Sequence, residues 1–348
     1  MTGFLLLDAP AASSPQPPAE EAPQESFEDR ISVSELEMVV RVVDTWGRPI
    51  LNLKPEDFRV RLGKSEVPIA GLDWISAEDS AILELPAEMA SPQGGEGDEV
   101  TVALPAPGRL VVLFVQTDLN PTRISGQMRM RSRTRKLLDS LHPQDRAAVV
   151  SFDSRLKLWQ DFTLDRDAVH AALDRAVLYG KAPVIEPAGE VSLAQRFDFE
   201  AARKTATPER ALEVTARALD ALPGEKMMIF LGYGFGNFSR DGVGMRPSYA
   251  PAVRALWDAR ISVFALDITS ADSHSLEAGL KQVAADTGGL YLSTFRLPNL
   301  ATEVLSKAIS GYYILALDMS RMPDATGEIQ VELKGRRGTV IARPMDVR

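Results

Sequence analysis

Residues 108–122 read GRLVVLFVQTDLNPT, and the reading of this stretch decides the fold. Residues 110–115 are apolar without alternation, which predicts a strand buried on both faces. Four further runs share that character: 147–152, 227–231, 261–266 and 290–292. Helical periods fall between them, at about 125–140, 166–178, 208–221, 248–259, 275–286 and 299–309. Buried strands alternating with amphipathic helices predict an α/β domain over 108–311, with a doubly wound, mostly parallel sheet of Rossmann-like type. Local chemistry agrees. Thr207 followed by Pro208 is a helix start, and Asp286-Thr287-Gly288-Gly289 is a helix stop. The piece 156–160 predicts one antiparallel edge strand.

The flanks have a different grammar. Residues 35–75 read as all-β, with turns at 44–49 and at Gly63-Lys64. Forty residues of strand lack enough partners for independent stability. The carboxyl-terminal runs 312–317, 329–333 and 339–342 supply them, so 31–85 and 312–348 are expected to build one β-sandwich from both chain ends. Residues 1–30 are Pro/Ala/Glu-rich and are expected to be disordered. Residues 86–107, with the core GGEG, read as a linker.

Composition narrows the function. Of 348 residues, 48 are acidic and 39 basic, a formal net charge of −9. That balance lacks the field of a phosphate-backbone binder, so no nucleic-acid partner is expected. No apolar run approaches the roughly 18 residues of a membrane span. There are no cysteines, which removes thiol catalysis and thiolate metal sites. The three histidines, His142, His170 and His274, are too dispersed in sequence to suggest a multi-histidine centre. Ligands of doubly wound sheets bind at the carboxyl ends of the strands. Those ends here are Gln116-Thr117-Asp118-Leu119-Asn120-Pro121-Thr122, then Gly232-Tyr233-Gly234-Phe235-Gly236, then Asp267-Ile268-Thr269.

The order of these pieces resembles a von Willebrand factor A domain, and more narrowly the bacterial VWFA-related domain proteins. The resemblance runs through GRLVVLFV, through LLDSLHPQDRAAVVSFDSRLKLWQDFTLDRDAVHAAL (137–173), and through LDALPGEKMMIFLGYGFG (219–236). AVRALWDARISVFALDI, TGGLY and ISGYYILALD complete it, and VVDTWGRPILNLKPEDFRV (42–60) is similar to that group's amino-terminal strand pair. It implies a divalent cation held by a D-x-S-x-S loop after the first strand, a threonine from a second loop and an aspartate after the fourth strand. This sequence departs from that pattern. Aligned strand ends place Gln116, Asp118 and Asn120 on the first motif, and a shift by two places Asp118, Asn120 and Thr122 there. Tyr233 falls on the aspartate position, where a neutral phenol is a poor Mg²⁺ ligand. Thr205 and Thr207 are the candidates for the second-loop threonine, and Thr207 reads better as a helix cap. A degenerate metal-ion-dependent adhesion site follows, without a cofactor or with at most weak Mg²⁺ at Asp118 and Asn120.

The expected function is a non-enzymatic, adhesion-type module binding another protein, with Gln116, Asp118, Asn120, Thr122, Tyr233 and Asp267 around the ligand cleft. One alternative is a Mg²⁺-dependent adhesion module. A second is a nucleotide- or phosphate-binding enzyme using the glycine-rich loop 232–236, although its pattern is not G-x-G-x-x-G and no helix is expected to open at the glycines. The basic run Arg123, Arg129, Arg131, Arg133, Arg135 and Lys136 reads as a solvated helix face. Asp198, Glu200 and Asp241 could join one carboxylate cluster. The resemblance implies export, but residues 1–10 lack Lys or Arg and their apolar stretch ends at Asp8, so as they stand they are no signal peptide. The residues alone leave the cytoplasm open.

Overall fold

A computed structural model describes residues 35–76, 108–118, 120–178, 180–187, 189–240, 242–320 and 326–347. The segments expected to be disordered (1–30) and to act as a linker (86–107) lie outside these residues, as does Asp241.

In chain order the first elements are β1 (Glu35–Val43), a 3-10 turn (Pro55–Asp57), β2 (Phe58–Leu62), β3 (Ser65–Glu66) and β4 (Ile69–Ser76). Next come β5 (Leu110–Gln116), α1 (Pro121–Asp139), β6 (Arg146–Phe152), β7 (Leu156–Thr163) and α2 (Arg166–Val177). They are followed by α3 (Phe199–Arg203), α4 (Pro208–Asp220), β8 (Lys226–Gly232), β9 (Asn237–Ser239) and β10 (Gly242–Gly244). Then come α5 (Tyr249–Asp258), β11 (Ile261–Asp267), α6 (Glu277–Asp286), β12 (Tyr291–Ser293) and α7 (Pro298–Ala308). The last are β13 (Gly311–Asp318), β14 (Gly327–Leu333), β15 (Thr339–Ala342) and β16 (Met345–Val347).

The central sheet has the order β12-β11-β8-β5-β6-β7. All its pairs are parallel except β6 with the edge strand β7. The chain steps outward from β5 to β7, then crosses to β8 on the other side of β5. Strand order therefore reverses between β5 and β8, and their carboxyl ends border the crevice where such folds bind ligands.

The uniform apolarity of β5 has a direct cause. Val112 and Phe114 enter an apolar cluster with residues of α4, α5 and α6, while Val111, Leu113 and Val115 enter another with α1, α2 and α7. Helices cover both faces, so neither set of alternate positions can be polar. Phe114 and Phe230 meet edge to face at 4.7 Å. Each such buried side chain contributes about 1.5–3 kcal/mol over its exposed state. Beneath the sheet, at the start of β5, Arg109 forks onto the Asp145 carboxylate through Nε (3.1 Å) and Nη2 (2.6 Å). A third guanidinium nitrogen, Nη1, donates to the Ile309 carbonyl.

Of the remaining strands, β9 and β10 pair with each other and the other eight form two four-stranded sheets, β15-β1-β13-β4 and β16-β14-β2-β3. Their pairs are antiparallel. Met38, Val40, Phe58, Val60, Tyr313, Leu315 and Ile329, drawn from both sheets, belong to one apolar cluster. In β13 the burial alternates strictly, the period of two that a strand with one face on the core produces, although the outer positions Tyr312, Ile314 and Ala316 are themselves not charged.

The basic run on α1 is partly exposed, as a solvated face would be, and several of its members also reach neighbouring elements. Arg131 and Arg135 both engage Asp174 of α2, Arg133 donates through Nε to Asn299 of α7 at 2.8 Å, and Arg129 donates to the Ile268 carbonyl at 3.0 Å. Spacing by twos spreads these cations around the helix, and Arg129, Arg131, Arg133 and Arg135 find acceptors on neighbouring elements while Lys136 is exposed. His170, expected at the surface, is only 12% exposed and lies 2.7 Å from Asp139.

Candidate functional site at the strand-order crevice

The helix after β5 begins four residues earlier than its periodicity suggested, because Asn120 and Pro121 form a cap and first position. The Asn120 side chain accepts from the Thr122 amide at 3.0 Å and from the Thr122 hydroxyl at 2.7 Å. Asp118 Oδ1 accepts from the Asn120 amide at 2.9 Å, and its other oxygen pairs with Arg123. The oxygens expected to face a cation are therefore engaged in capping α1 and in an ion pair.

Gln116 spans the two strand tips. Its Nε2 donates to the Gly234 carbonyl at 2.9 Å, and its Oε1 accepts from the Tyr233 amide at 3.1 Å. Gln127, one turn into α1, donates to the Gln116 carbonyl at 2.7 Å. Tyr233 folds back across the crevice and donates its hydroxyl to the Thr117 carbonyl at 3.2 Å. The Arg123 guanidinium lies over the Tyr233 ring, 3.8 Å from its centroid. A divalent ion bridging Asp118 and the position of Tyr233 would need Asn120 to leave its cap and Arg123 to withdraw.

Gln116 and Tyr233 also line an open cleft of about 340 Å³ with Phe152, Phe235, Phe238, Arg246 and Leu276. Four of its lining residues are aromatic, and two of these, Phe152 and Phe235, are buried. Phe238 is 67% exposed on the short β9–β10 pair. The Arg246 Nε lies 3.8 Å from Glu209, a carboxylate with no exposed surface. Gly234 adopts φ +96°, and a Cβ there would collide with the Leu276 carbonyl, so the loop 232–236 packs directly on the chain leading into α6. Thr207, a second lining residue, caps α4 through the Arg210 amide at 3.3 Å. Thr205 accepts from the Leu156 amide at 3.1 Å and is buried.

Asp267, predicted at the cleft, is buried and turned toward α6. Its Oδ1 accepts from the Thr269 amide at 2.9 Å, and its Oδ2 lies 2.7 Å from His274 Nε2 and 2.8 Å from the Tyr291 hydroxyl. Glu277 joins through Oε2, 3.2 Å from the same hydroxyl, and receives Lys281 on Oε1 at 2.7 Å. Burial, with the two carboxylates beside it, pushes the Tyr291 phenol well above its ordinary value. Burial alone would raise the Glu277 carboxyl, but Lys281 and Tyr291 outweigh it and hold the group low. Nothing in the sequence spacing places Glu277 or Tyr291 beside Asp267. Asp198 caps α3 and Glu200 pairs with Lys204, while Asp241, the third residue of the suggested cluster, lies outside the described residues.

The three imidazoles meet carboxylates, at Asp139 and Asp267, or a backbone amide, where Gln144 donates to His142. A serine or threonine hydroxyl poised on a histidine base does not appear among these contacts.

No model of a known protein family matches the chain, and no curated protein matches it. Among solved structures it is similar to a von Willebrand factor type A protein from Catenulispora acidiphila, with 13% identity, TM-score 0.40, and coverage of 70% of this chain and 66% of that one. It is also similar to the conserved hypothetical protein BatB from Bacteroides thetaiotaomicron, with 15% identity, TM-score 0.39, and coverage of 58% of this chain and 98% of that one. A PilB minor pilin from Streptococcus sanguinis follows at 12% identity and TM-score 0.38, covering 58% of this chain and 61% of the pilin. The likeness is of chain path, and the doubly wound order stands on this chain's own strand pairing.

Proposed function

We propose that the protein is a non-enzymatic interaction module that docks another protein at the aromatic cleft beside the β5–β8 crevice, without a cation at Asp118. The observation carrying this reading is the pairing of Asp118 with Arg123, whose guanidinium also covers Tyr233. An internal cation occupies the electrostatic role that a bound ion would take. What is left for a partner is the aromatic wall with Phe238 at its rim and Arg246 beside it. A rigid doubly wound scaffold presenting such loops is a common platform for recognition. Under this reading the two antiparallel sheets act together as a β-sandwich assembled from both chain ends, with 108–311 set between them, and the protein works outside the cytoplasm. Among the described residues no helix is long and apolar enough to cross a membrane.

Affinity capture followed by cross-linking tests the reading. Wild-type protein should retain a partner that Phe238→Ser loses, and EDTA should not release it. Capture unaffected by Phe238→Ser, or abolished by EDTA and by Asp118→Ala, would refute it. A thermal shift with ATP, NAD or sugar phosphates would instead favour nucleotide or phosphate chemistry at 232–236.

A further inference from the structure

We propose that Asp267, His274 and Glu277 form a binding site for a divalent transition-metal ion of the Zn²⁺ class, separate from the Asp118 crevice. One carboxylate oxygen of Asp267, one imidazole nitrogen of His274 and one carboxylate oxygen of Glu277 all lie within 4.8 Å of one another. Three ligands of a tetrahedral ion with bonds of about 2.0–2.2 Å stand roughly 3.4 Å apart. The protein's separations span that value, starting from 2.7 Å between His274 Nε2 and Asp267 Oδ2. Small side-chain rotations suffice to bring the donors onto one ion.

The donor types and their supports fit this chemistry. One imidazole with two carboxylates is a nitrogen–oxygen set that Zn²⁺ accepts in sites with a fourth, open position. Asp267 is fixed by the end of β11 and by the Thr269 amide on its other oxygen. Glu277 stands in the first turn of α6 with Lys281 on its other oxygen. The Tyr291 hydroxyl touches both carboxylates, at 2.8 and 3.2 Å, as an outer-shell group that orients ligands. A phenol has one proton to give, so two carboxylates share it, and a divalent cation would relieve the negative charge left between them. His274 and Glu277 are 18% and 17% exposed, which opens the fourth position to solvent.

Such an ion would tie together the end of β11, the loop that follows it and the start of α6. Leu276 lies in that loop and lines the cleft, so the ion would stiffen one cleft wall.

Titration of the full chain with ZnCl₂, followed by calorimetry and by thermal melting, decides the matter. With no cysteine in the sequence, thiolates cannot contribute. Wild-type protein should bind one ion and gain several degrees in midpoint. His274→Gln and Glu277→Gln, both at half-buried positions, should each weaken binding by about tenfold or more. His170→Gln and Asp118→Ala should leave it unchanged. Circular dichroism of the metal-free variants reports that they fold. No saturable binding, binding that survives both His274→Gln and Glu277→Gln, or binding lost in His170→Gln would overturn the proposal. The Asp118→Ala arm keeps this result separate from that of the crevice.

Discussion

Arg123 lies over the face of Tyr233, 3.8 Å from the ring centroid, while its guanidinium pairs with Asp118. The two contacts close the tip of the crevice with groups from both of the strand ends that border it. They place a positive charge where a doubly wound fold of this type could otherwise offer its carboxylate to a ligand. The pair with Asp118 is about one-third exposed on each side. Its contribution to stability is therefore that of a surface ion pair, about 0–1 kcal/mol. Its consequence is for what the crevice can bind.

Gln116→Ala should destabilise the protein by about 1–3 kcal/mol, since the buried Gly234 carbonyl and Tyr233 amide lose their partner together. Urea unfolding should show a lower midpoint with an unchanged slope. An unchanged midpoint would mean that Gln116 does not hold β5 to the loop after β8.

Asp145→Asn should cost more, about 3–5 kcal/mol, because Arg109 would remain buried without its counter-charge. The Asp145 carboxylate also accepts from the amides of Arg109 (3.0 Å) and His142 (3.1 Å), so the turn before β6 would loosen with it. A loss under 1 kcal/mol in the same unfolding measurement would contradict this.

Asp174 gives a pH signature. A hydrogen bond from Arg131 leads the causes that hold its carboxyl below the ordinary 3.8. A carboxyl depressed on folding adds stability that is present above its unfolded value and lost as pH falls through the folded one. Stability measured across the range below pH 4 should therefore decline less steeply in Asp174→Ala than in wild type, and the variant should be less stable at neutral pH. Parallel curves would show that α1 and α2 are not joined electrostatically.

Much of this architecture is legible in the sequence because burial on both faces leaves no alternative to continuous apolar strands. The runs at β5, β6, β8 and β11 could be placed within a residue or two, and the antiparallel edge at β7 followed from its separation from β6 by only a tight turn. The missed pieces are short or depend on capping. Asn120-Pro121 is a helix start hidden inside a loop motif, while α3, β9, β10 and β16 are three to five residues long and carry no period. At the site, Gln116 and Tyr233 could be placed by strand ends. Phe152 closes β6, and Phe235 and Phe238 interrupt a glycine-rich loop, yet nothing in their spacing shows that they share a wall with Leu276. Asp267, His274, Glu277 and Tyr291 converge through a loop and a helix start, and sequence distance carries no trace of that.

Thermal melting with millimolar Mg²⁺ against EDTA tests the central claim most directly, on wild-type protein and on Asp118→Ala. Wild-type curves should superimpose, because the Asp118 carboxylate already has a cation in Arg123. A midpoint that rises by several degrees with Mg²⁺, and no longer does so in Asp118→Ala, would contradict it.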